Sequence, residues 1–213
     1  NGVVIVPAID RLLEDVLLRN WIGRIVTVAI KDDIEKECTS FRSYGKDYID
    51  YVGDVNLQRG TIEIEGKSLN LPLEGRHNAR NFLLAIAVAK ELGLPLKSLD
   101  NLKVEMPGGR NNYFNYGSIT ILDESYNSSP ESVKASFEIL LSKPGRHFAV
   151  LGTMLELGAE SIELHRQVAN WAVKLGLDGM VIVSSGEEAH IMKKEARNLP
   201  NLAVVSSPEE AAI

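Results

Sequence analysis

The sequence predicts an α/β fold built from two successive units. In the first half, alternating and β-branched residues over 47–73 indicate an antiparallel patch of strands. In the second half, apolar runs alternate with helical patterns, which is typical of a mainly parallel sheet with right-handed crossovers. Between the halves, Met106-Pro107-Gly108-Gly109 interrupts any regular element and predicts a linker. We therefore expect two domains, at residues 1–107 and 108–213.

Local periodicity assigns the elements of the first domain. Short runs of β-branched and aliphatic residues indicate strands, whereas apolar residues spaced three to four apart indicate helices. The expected elements, in chain order, are strand 3–6, helix 9–19, strand 24–28, strands 48–55, 61–65 and 69–73, helix 78–92 and a short helix over 96–102. Gly93 follows the long helix at the position where a glycine commonly ends a helix.

The second domain shows a regular alternation of strands and helices. The expected elements, in chain order, are strand 118–123, helix 130–142, strand 146–151, helix 160–175, strand 179–184, helix 186–198, strand 202–205 and a helix from 208. This order predicts that strand 118–123 is the first strand of the parallel sheet.

Composition excludes several classes of function. The 23 lysines and arginines are outnumbered by 29 aspartates and glutamates, and no basic run carries interleaved aromatics, so nucleic acid is not an expected partner. The single cysteine, Cys38, excludes an intramolecular disulfide and fits the reducing cytoplasm. No run approaches the roughly 18–20 apolar residues that span a bilayer. The chain starts at Asn1 without methionine and stops at Ile213 inside an expected helix, so we expect both ends to be cut.

Polar segments follow two strands of the second domain. Asp123-Glu124-Ser125-Tyr126-Asn127 comes directly after the apolar run 119–122, and a loop bracketed by Gly152 and Gly158 follows the run 147–151. Loops at the carboxyl ends of strands line the ligand crevices of open α/β sheets. The sequence therefore predicts a binding site in this domain.

Asp123 and Glu124 are the candidate chemical groups of the first segment. Two carboxylates at a strand end bind a metal, accept ribose hydroxyls, or cap the helix that starts near Pro130. Because Ser128 or Ser129 is able to cap that helix, capping does not require the carboxylates, and a functional role is favoured.

A second polar cluster opens the long helix of the first domain. Asn78 and Asn81 lie three residues apart and share a helix face. Capping by Asn78 explains one amide but not the whole cluster of Arg76, His77, Asn78, Arg80 and Asn81. Donors near a helix N-terminus suit an anionic or purine ligand, so both interpretations stay open.

Three further features have competing interpretations. Arg110 is either a solvated loop residue or a phosphate ligand placed at the hinge. His165, alone on its helix, is more typical of a structural residue than of a catalytic one. Gly66-Lys67-Ser68 resembles the end of a P-loop, but five residues separate it from Gly60 and strands flank it on both sides, which favours a hairpin turn.

Together these segments resemble the Mur ligases of peptidoglycan synthesis, in particular the branch that adds D-alanyl-D-alanine. The resemblance covers essentially the whole chain and is carried by the segments 75–81, 109–110, 122–132, 151–158 and 164–165. It implies the end of a central ATPase domain with a mixed sheet, followed by most of a Rossmann-like C-terminal domain with a mainly parallel sheet. The UDP-binding domain, the P-loop and the metal-binding region are expected before Asn1.

The resemblance also implies a reaction. The carboxylate of a UDP-muramoyl-tripeptide is phosphorylated by ATP, and the acyl phosphate is attacked by the amine of D-Ala-D-Ala, with ADP as product. Mg²⁺ is implied as a cofactor, its ligands lying mainly upstream of this chain. A cytoplasmic monomer is expected, and the fragment alone is expected to be inactive.

Site residues follow from the same resemblance. The adenine side is expected to contact His77, Asn78 and Asn81, the phosphates Arg110, which is the candidate catalytic residue, and the ribose Asp123 and Glu124. The acceptor dipeptide is expected to contact Tyr126, Asn127, Thr153, Glu156 and His165.

Three positions depart from the family pattern. Glu124 and Thr153 stand where aspartate is usual, and Pro7-Ala8-Ile9-Asp10 replaces an asparagine-alanine-aspartate turn. The loss of charge at Thr153 leaves open an amide ligase with another amino-acid acceptor, of the folylpolyglutamate or cyanophycin type. A non-catalytic module that binds a nucleotide or a peptidoglycan precursor is the alternative from another class.

Overall fold

The computed structural model describes residues 2–37, 44–105 and 108–211, and the chain divides into two compact units, Asn1–Glu105 and Met106–Ile213. Cys38 and the first two residues of the expected linker, Met106 and Pro107, lie outside the described residues. Both units are mixtures of helices and strands, which confirms the predicted α/β class.

The first unit contains one five-stranded sheet of order β1-β2-β3-β4-β5. Its elements are β1 (Val3–Pro7), α1 (Arg11–Asn20), β2 (Arg24–Ile30), α2 (Lys31–Glu37), β3 (Tyr51–Asn56), β4 (Thr61–Ile64), β5 (Lys67–Asn70), α3 (Arg76–Glu91) and a 3₁₀ helix at Leu96–Leu99. Strands β1, β2 and β3 are parallel, whereas β3, β4 and β5 are antiparallel, which confirms the predicted patch. Helix α2 was not predicted, because Ile34 is its only apolar residue and no amphipathic period is present.

Helix α3 covers the sheet of the first unit with its apolar face. Leu83 and Ile86 of α3 and Ile62 of β4 are fully buried in one cluster. The helix begins at Arg76, two residues earlier than expected, and its N-cap is Gly75 with φ of 96°. The interpretation of Asn78 as the cap is therefore wrong, since a glycine in a left-handed conformation makes the entry turn instead.

The second unit contains a three-stranded parallel sheet of order β10-β9-β8 and a separate two-stranded hairpin. Its elements are β6 (Asn112–Tyr116), β7 (Ile119–Asp123), α4 (Pro130–Leu141), β8 (Phe148–Gly152), a 3₁₀ helix at Gly158–Glu160, α5 (Ser161–Leu175), β9 (Gly179–Val183), α6 (Glu187–Glu195), β10 (Asn201–Val205) and α7 (Pro208–Ala211). The alternation predicted after residue 130 is confirmed.

Strand β7 does not take its predicted place in the parallel sheet. It pairs antiparallel with β6, from Asn112 opposite Asp123 to Tyr116 opposite Ile119. The connection is the two-residue turn Gly117-Ser118, with Gly117 at φ of 60°. A two-residue loop with positive φ matches the twist of an antiparallel pair, so the turn and the aromatic residues of β6 direct β7 into a hairpin.

Helices α4, α5 and α6 pack with the parallel sheet around one core. Ala169 and Ala172 of α5 and Ile182 of β9 are fully buried there. Small residues on α5 allow the helix to approach its neighbours closely. No helix within the described ranges is both long and apolar enough to cross a membrane.

Gly179 is expected to be essential for the packing of this sheet. A Cβ at Gly179 would lie 2.8 Å from the carbonyl oxygen of Asn201 and 2.8 Å from Phe148. We expect Gly179→Ala to lower the free energy of unfolding by about 1–3 kcal/mol, because backbone atoms must move to admit the methyl group. Urea unfolding measures this change.

Gly152→Ala is the matched control, since Gly152 lies in the same sheet and a Cβ there has Val183 O at 3.9 Å as its nearest neighbour. We expect this variant to stay within about 0.5 kcal/mol of the parent. Equal stabilities of the two variants would contradict the packing argument.

Candidate functional site

A backbone hydrogen bond joins Gly109, at the end of the predicted linker, to the polar segment after β7. The amide of Tyr126 donates to the carbonyl of Gly109 at 2.8 Å. Gly109 has φ of 77°, and a Cβ there would lie 2.7 Å from the nitrogen of Tyr126 and 3.1 Å from Oγ of Ser125. Only glycine fits this position, because it adopts the left-handed conformation readily and leaves room for the facing backbone of Tyr126.

This hydrogen bond places Arg110 against Tyr126. The guanidinium carbon of Arg110 lies 4.3 Å from the centre of the Tyr126 ring, which is the geometry of a cation–π contact. Both side chains are exposed. Arg110, predicted to bind phosphate, and Tyr126, predicted to bind the acceptor, are therefore in direct contact.

Asp123 and Glu124 lie on the same turn. The Glu124 carboxylate lies close to the backbone amide of Asn111. Burial raises the pKa of Glu124 and the charge of Asp123 adds to this, while the Asn111 amide and the charge of Arg110 offset part of the rise. Asp123 accepts the amide of Ser125 through Oδ1 at 3.0 Å.

The helix that follows has its own cap. Ser129 and Ser132 form a reciprocal capping box at the start of α4, in which the amide of Ser132 donates to Oγ of Ser129 at 3.3 Å. Asp123 and Glu124 are thus not needed as caps, which confirms the expectation that a serine does this work. Asn127 accepts the amide of Ser128 through Oδ1 at 2.9 Å, and its side chain is otherwise exposed.

The buried side chain of His165 anchors the loop 152–158 through its backbone. The amide of Met154 donates to Nε2 of His165 at 2.9 Å, and Nδ1 of His165 lies 2.7 Å from the carbonyl oxygen of Ser161. These contacts require the tautomer with the proton on Nδ1. His165 is fully buried, so the geometry favours a residue that holds the loop over one that touches a substrate; a direct contact stays a prediction.

Thr153 anchors the same loop from the side. Its hydroxyl donates to Oγ of Ser184 at 2.8 Å, which ties the loop after β8 to the loop after β9. The side chains beyond this anchor point outward: Leu155 is 75% exposed, and Glu156 is exposed with φ of 63°. A non-glycine residue in this region is strained, which is common where a side chain is held for function.

The predicted arginine donors of the first unit are already paired. Arg76 donates to Asp33 Oδ1 at 2.6 Å and to Asp32 Oδ2 at 3.3 Å, and Arg80 donates to Asp33 Oδ2 at 3.0 Å. Burial opposes ionisation of Asp33, but hydrogen bonds and charge from the two arginines hold its pKa below the usual value. These pairs engage the two arginines of the polar cluster within the fold, because the unpredicted helix α2 supplies their partners.

The asparagines of α3 differ in availability. Asn78 donates through Nδ2 to the carbonyl of Glu74 at 2.6 Å, which leaves its amide oxygen for a ligand. Asn81 is exposed and forms no side-chain hydrogen bond with any described residue. His77 is half-buried. A cavity of about 580 Å³ lies at the carboxyl ends of β1 and β2, and Asp33 and Arg80 are among its lining residues.

Sequence reasoning missed Asn111, Ser161 and Ser184. Asn111 has φ of 50°, and within the described ranges its buried Oδ1 has no hydrogen-bond partner. A glycine pair followed by Arg-Asn is a usable signal for such a turn, since asparagine tolerates positive φ better than most residues. The two serines carry no local signal, because their roles depend on contacts with distant segments.

Comparison with solved structures shows the fold. MurF from Acinetobacter baumannii superposes with a TM-score of 0.74 at 24% identity, over 95% of this chain and 42% of that one. MurF from Thermotoga maritima in complex with ADP superposes with a TM-score of 0.67 at 22% identity, over 97% of this chain and 50% of that one.

Sequence relatives carry the comparison further. Residues 109–213 match the family described as Mur ligase, glutamate ligase domain. The UDP-N-acetylmuramoyl-tripeptide–D-alanyl-D-alanine ligase of Synechocystis sp. is 34% identical over 206 residues, which are 95% of this chain and 41% of that protein. The ligase of the same name from Escherichia coli is 38% identical over 124 residues, 56% of this chain and 27% of that protein. This chain spans less than half the length of these relatives, and it belongs to the Mur ligase family.

Proposed function

We propose that the protein of which this chain forms part is an ATP-dependent ligase that adds D-alanyl-D-alanine to a UDP-N-acetylmuramoyl-tripeptide. The observation that carries the proposal is the 34% identity to the Synechocystis ligase over 95% of the chain. The stacked Arg110 and Tyr126 and the anchored loop 152–158 supply side chains suited to that chemistry.

The reaction needs two successive substitutions. An oxygen of the tripeptide carboxylate attacks the γ-phosphorus of ATP, and ADP leaves with the electrons of the broken bond. The amine of the dipeptide then attacks the acyl carbon, inorganic phosphate leaves, and the nitrogen loses a proton. Arg110 is suited to the first step, because its planar fork of donors offsets the charge on the transferring phosphoryl group.

Each unit carries side chains that are suited to one part of a nucleotide. Asn81 and the amide oxygen of Asn78 are suited to the hydrogen-bonding edge of a purine. The carboxylates of Asp123 and Glu124 are suited to ribose hydroxyls. Among the described residues, no three His, Cys, Asp or Glu side chains cluster to hold a metal. The ligands of Mg²⁺ are expected mainly upstream of this chain.

The dipeptide is proposed to contact Asn127 and the outer side of the loop 152–158. Glu156 offers a carboxylate to the dipeptide ammonium before it loses its proton, and Leu155 offers an apolar surface. The usual aspartate is replaced by Thr153, whose hydroxyl is engaged with Ser184. We infer that this replacement alters how the loop is anchored, with acceptor recognition left to its exposed residues.

The two alternatives receive less support. Several relatives that align with this chain, from cyanobacteria, spirochaetes and mycobacteria among others, are named as D-alanyl-D-alanine ligases, which favours the dipeptide over another amino-acid acceptor. A non-catalytic module would be favoured if the full-length sequence lacked a P-loop lysine. A cytoplasmic location, a monomeric state and the absence of nucleic-acid partners stay predictions.

The first test is an assay of the full-length protein for ADP release. We expect release that requires both a UDP-muramoyl-tripeptide and D-Ala-D-Ala, because phosphate transfer is productive only when an acceptor is present. A panel of single amino acids and other dipeptides is the control. Release with glutamate or aspartate alone would point to the other class of amide ligase, and no release with any acceptor would contradict catalysis.

Arg110→Ala is expected to lower turnover about 100-fold in the full-length protein, the scale of losing one donor to a transition state. Steady-state kcat measures this loss. Arg197→Ala is the matched control, since Arg197 is an exposed arginine of the same unit outside the segment 123–127 and the loop 152–158. Unchanged turnover in Arg110→Ala would return Arg110 to the solvated-loop interpretation.

Glu124→Gln is expected to stabilise the fold while weakening ATP use. Because the pKa of Glu124 is raised, its favourable contribution is present below its ordinary pKa of 4.5 and is lost as pH rises through the folded value. The Tm of Glu124→Gln should therefore exceed that of the parent at pH 7, and the difference should disappear as pH falls below 4.5.

KM for ATP should rise about tenfold in the same variant, the scale of one hydrogen bond to a charged group. Glu105→Gln, at an exposed glutamate, is the control for both measurements. A Tm below that of the parent at pH 7 would show that the ionised carboxylate stabilises the turn instead.

A further inference from the structure

We propose that Tyr126 acts through Arg110: its ring holds the guanidinium in the orientation that the phosphoryl group requires, and its hydroxyl is not needed for this. The inference rests on the proposed function, since it assigns Tyr126 a positioning role in the phosphate step. It differs from the expectation that Tyr126 only contacts the acceptor dipeptide.

The contact itself is the first observation. The guanidinium carbon of Arg110 lies 4.3 Å from the ring centre of Tyr126, well inside the range of a cation–π interaction. A planar guanidinium stacks on a ring face and still directs its edge donors outward. The stack therefore leaves the fork of Arg110 available for an anionic ligand.

The backbone supports the stack from both sides. The residue before Arg110 accepts the amide of Tyr126 at 2.8 Å, so the two side chains start from cross-linked backbone positions. Only glycine fits at position 109, because a Cβ there would be too close to the backbone of Tyr126. The two backbone segments therefore lie close together. On the other side of Arg110, the Glu124 carboxylate lies close to the amide of Asn111.

Besides the ring, the described group that interacts with the guanidinium is the nearby Glu124 carboxylate, through its charge. In the ranges that the structure covers, Arg110 takes part in no salt bridge and no side-chain hydrogen bond, whereas Arg76 and Arg80 are fixed by Asp33. A free arginine side chain loses rotamer entropy when a ligand immobilises it. The ring removes part of that cost before the ligand arrives.

The ring and the hydroxyl of Tyr126 have separable roles. Tyr126 is 57% exposed, and its hydroxyl forms no hydrogen bond with any described residue. The stack uses only the ring face. Tyr126→Phe therefore keeps the proposed positioning role, whereas Tyr126→Leu removes the ring and keeps an apolar side chain.

The test compares these variants in the full-length protein. We expect Tyr126→Leu to lower kcat about 2- to 5-fold, the scale of one exposed cation–π contact, and Tyr126→Phe to keep the kcat of the parent. KM for D-Ala-D-Ala should change little in Tyr126→Leu. Tyr116→Leu, at a tyrosine that is 79% exposed in β6, is the matched control and should behave as the parent.

A double-mutant cycle tests whether Tyr126 acts through Arg110. In the Arg110→Ala background, we expect Tyr126→Leu to cause no further loss of kcat, because the group that it positions is absent. Arg110→Lys keeps the charge without the planar stack and should resemble Tyr126→Leu. Multiplying effects, or a loss confined to KM for D-Ala-D-Ala in both Tyr126 variants, would overturn the proposal in favour of direct acceptor contact.

The side-chain resonances of Arg110 give a readout that does not depend on activity. Stacking on a ring should shift its methylene protons upfield in the parent and in Tyr126→Phe, and the shift should vanish in Tyr126→Leu. An absent shift in the parent would overturn the stack itself. A shift that is present while Arg110→Ala keeps full turnover would instead contradict the proposed function of Arg110.

Discussion

The candidate site of the second unit depends on one backbone hydrogen bond, from the amide of Tyr126 to the carbonyl of Gly109. It joins the segment that opens the unit to the turn that ends strand β7. The bond forms because Gly109 adopts a left-handed conformation and has no Cβ to meet the facing backbone. Once it forms, Arg110 meets the Tyr126 ring and Asn111 meets Glu124. A single glycine thus brings together groups that lie more than ten residues apart.

A common arrangement recurs in the second polar loop of this unit. Buried groups hold the backbone, and exposed side chains face outward: His165 binds the amide of Met154, while Leu155 and Glu156 point to solvent. Residues held in this way lose little further entropy when a ligand binds. The positive φ of Glu156 and the raised pKa of Glu124 both lower the stability of the fold, and they accompany this pre-organisation.

In the first unit, the charged side chains at the start of α3 are paired within the fold. Its most basic segment is neutralised within the fold, since Asp33 receives both Arg76 and Arg80. The groups that stay available at the start of α3 are amides, chiefly Asn81 and the oxygen of Asn78. Amides recognise the hydrogen-bonding edge of a base without attracting anions in general.

The sequence by itself determined the α/β class, most helices and strands, the serine cap of α4 and the family, because these depend on local periodicity, short-range hydrogen bonds and motif order. Tertiary structure decided the rest. Strand β7 pairs with β6 in a hairpin because the turn at Gly117 and the aromatic residues of β6 favour an antiparallel pair. Arg76 and Arg80 were neutralised by a helix with no apolar period, and His165 was buried beneath a loop that it supports. Pairing, burial and pKa depend on which distant groups come within a few ångströms, and no local pattern carries that information.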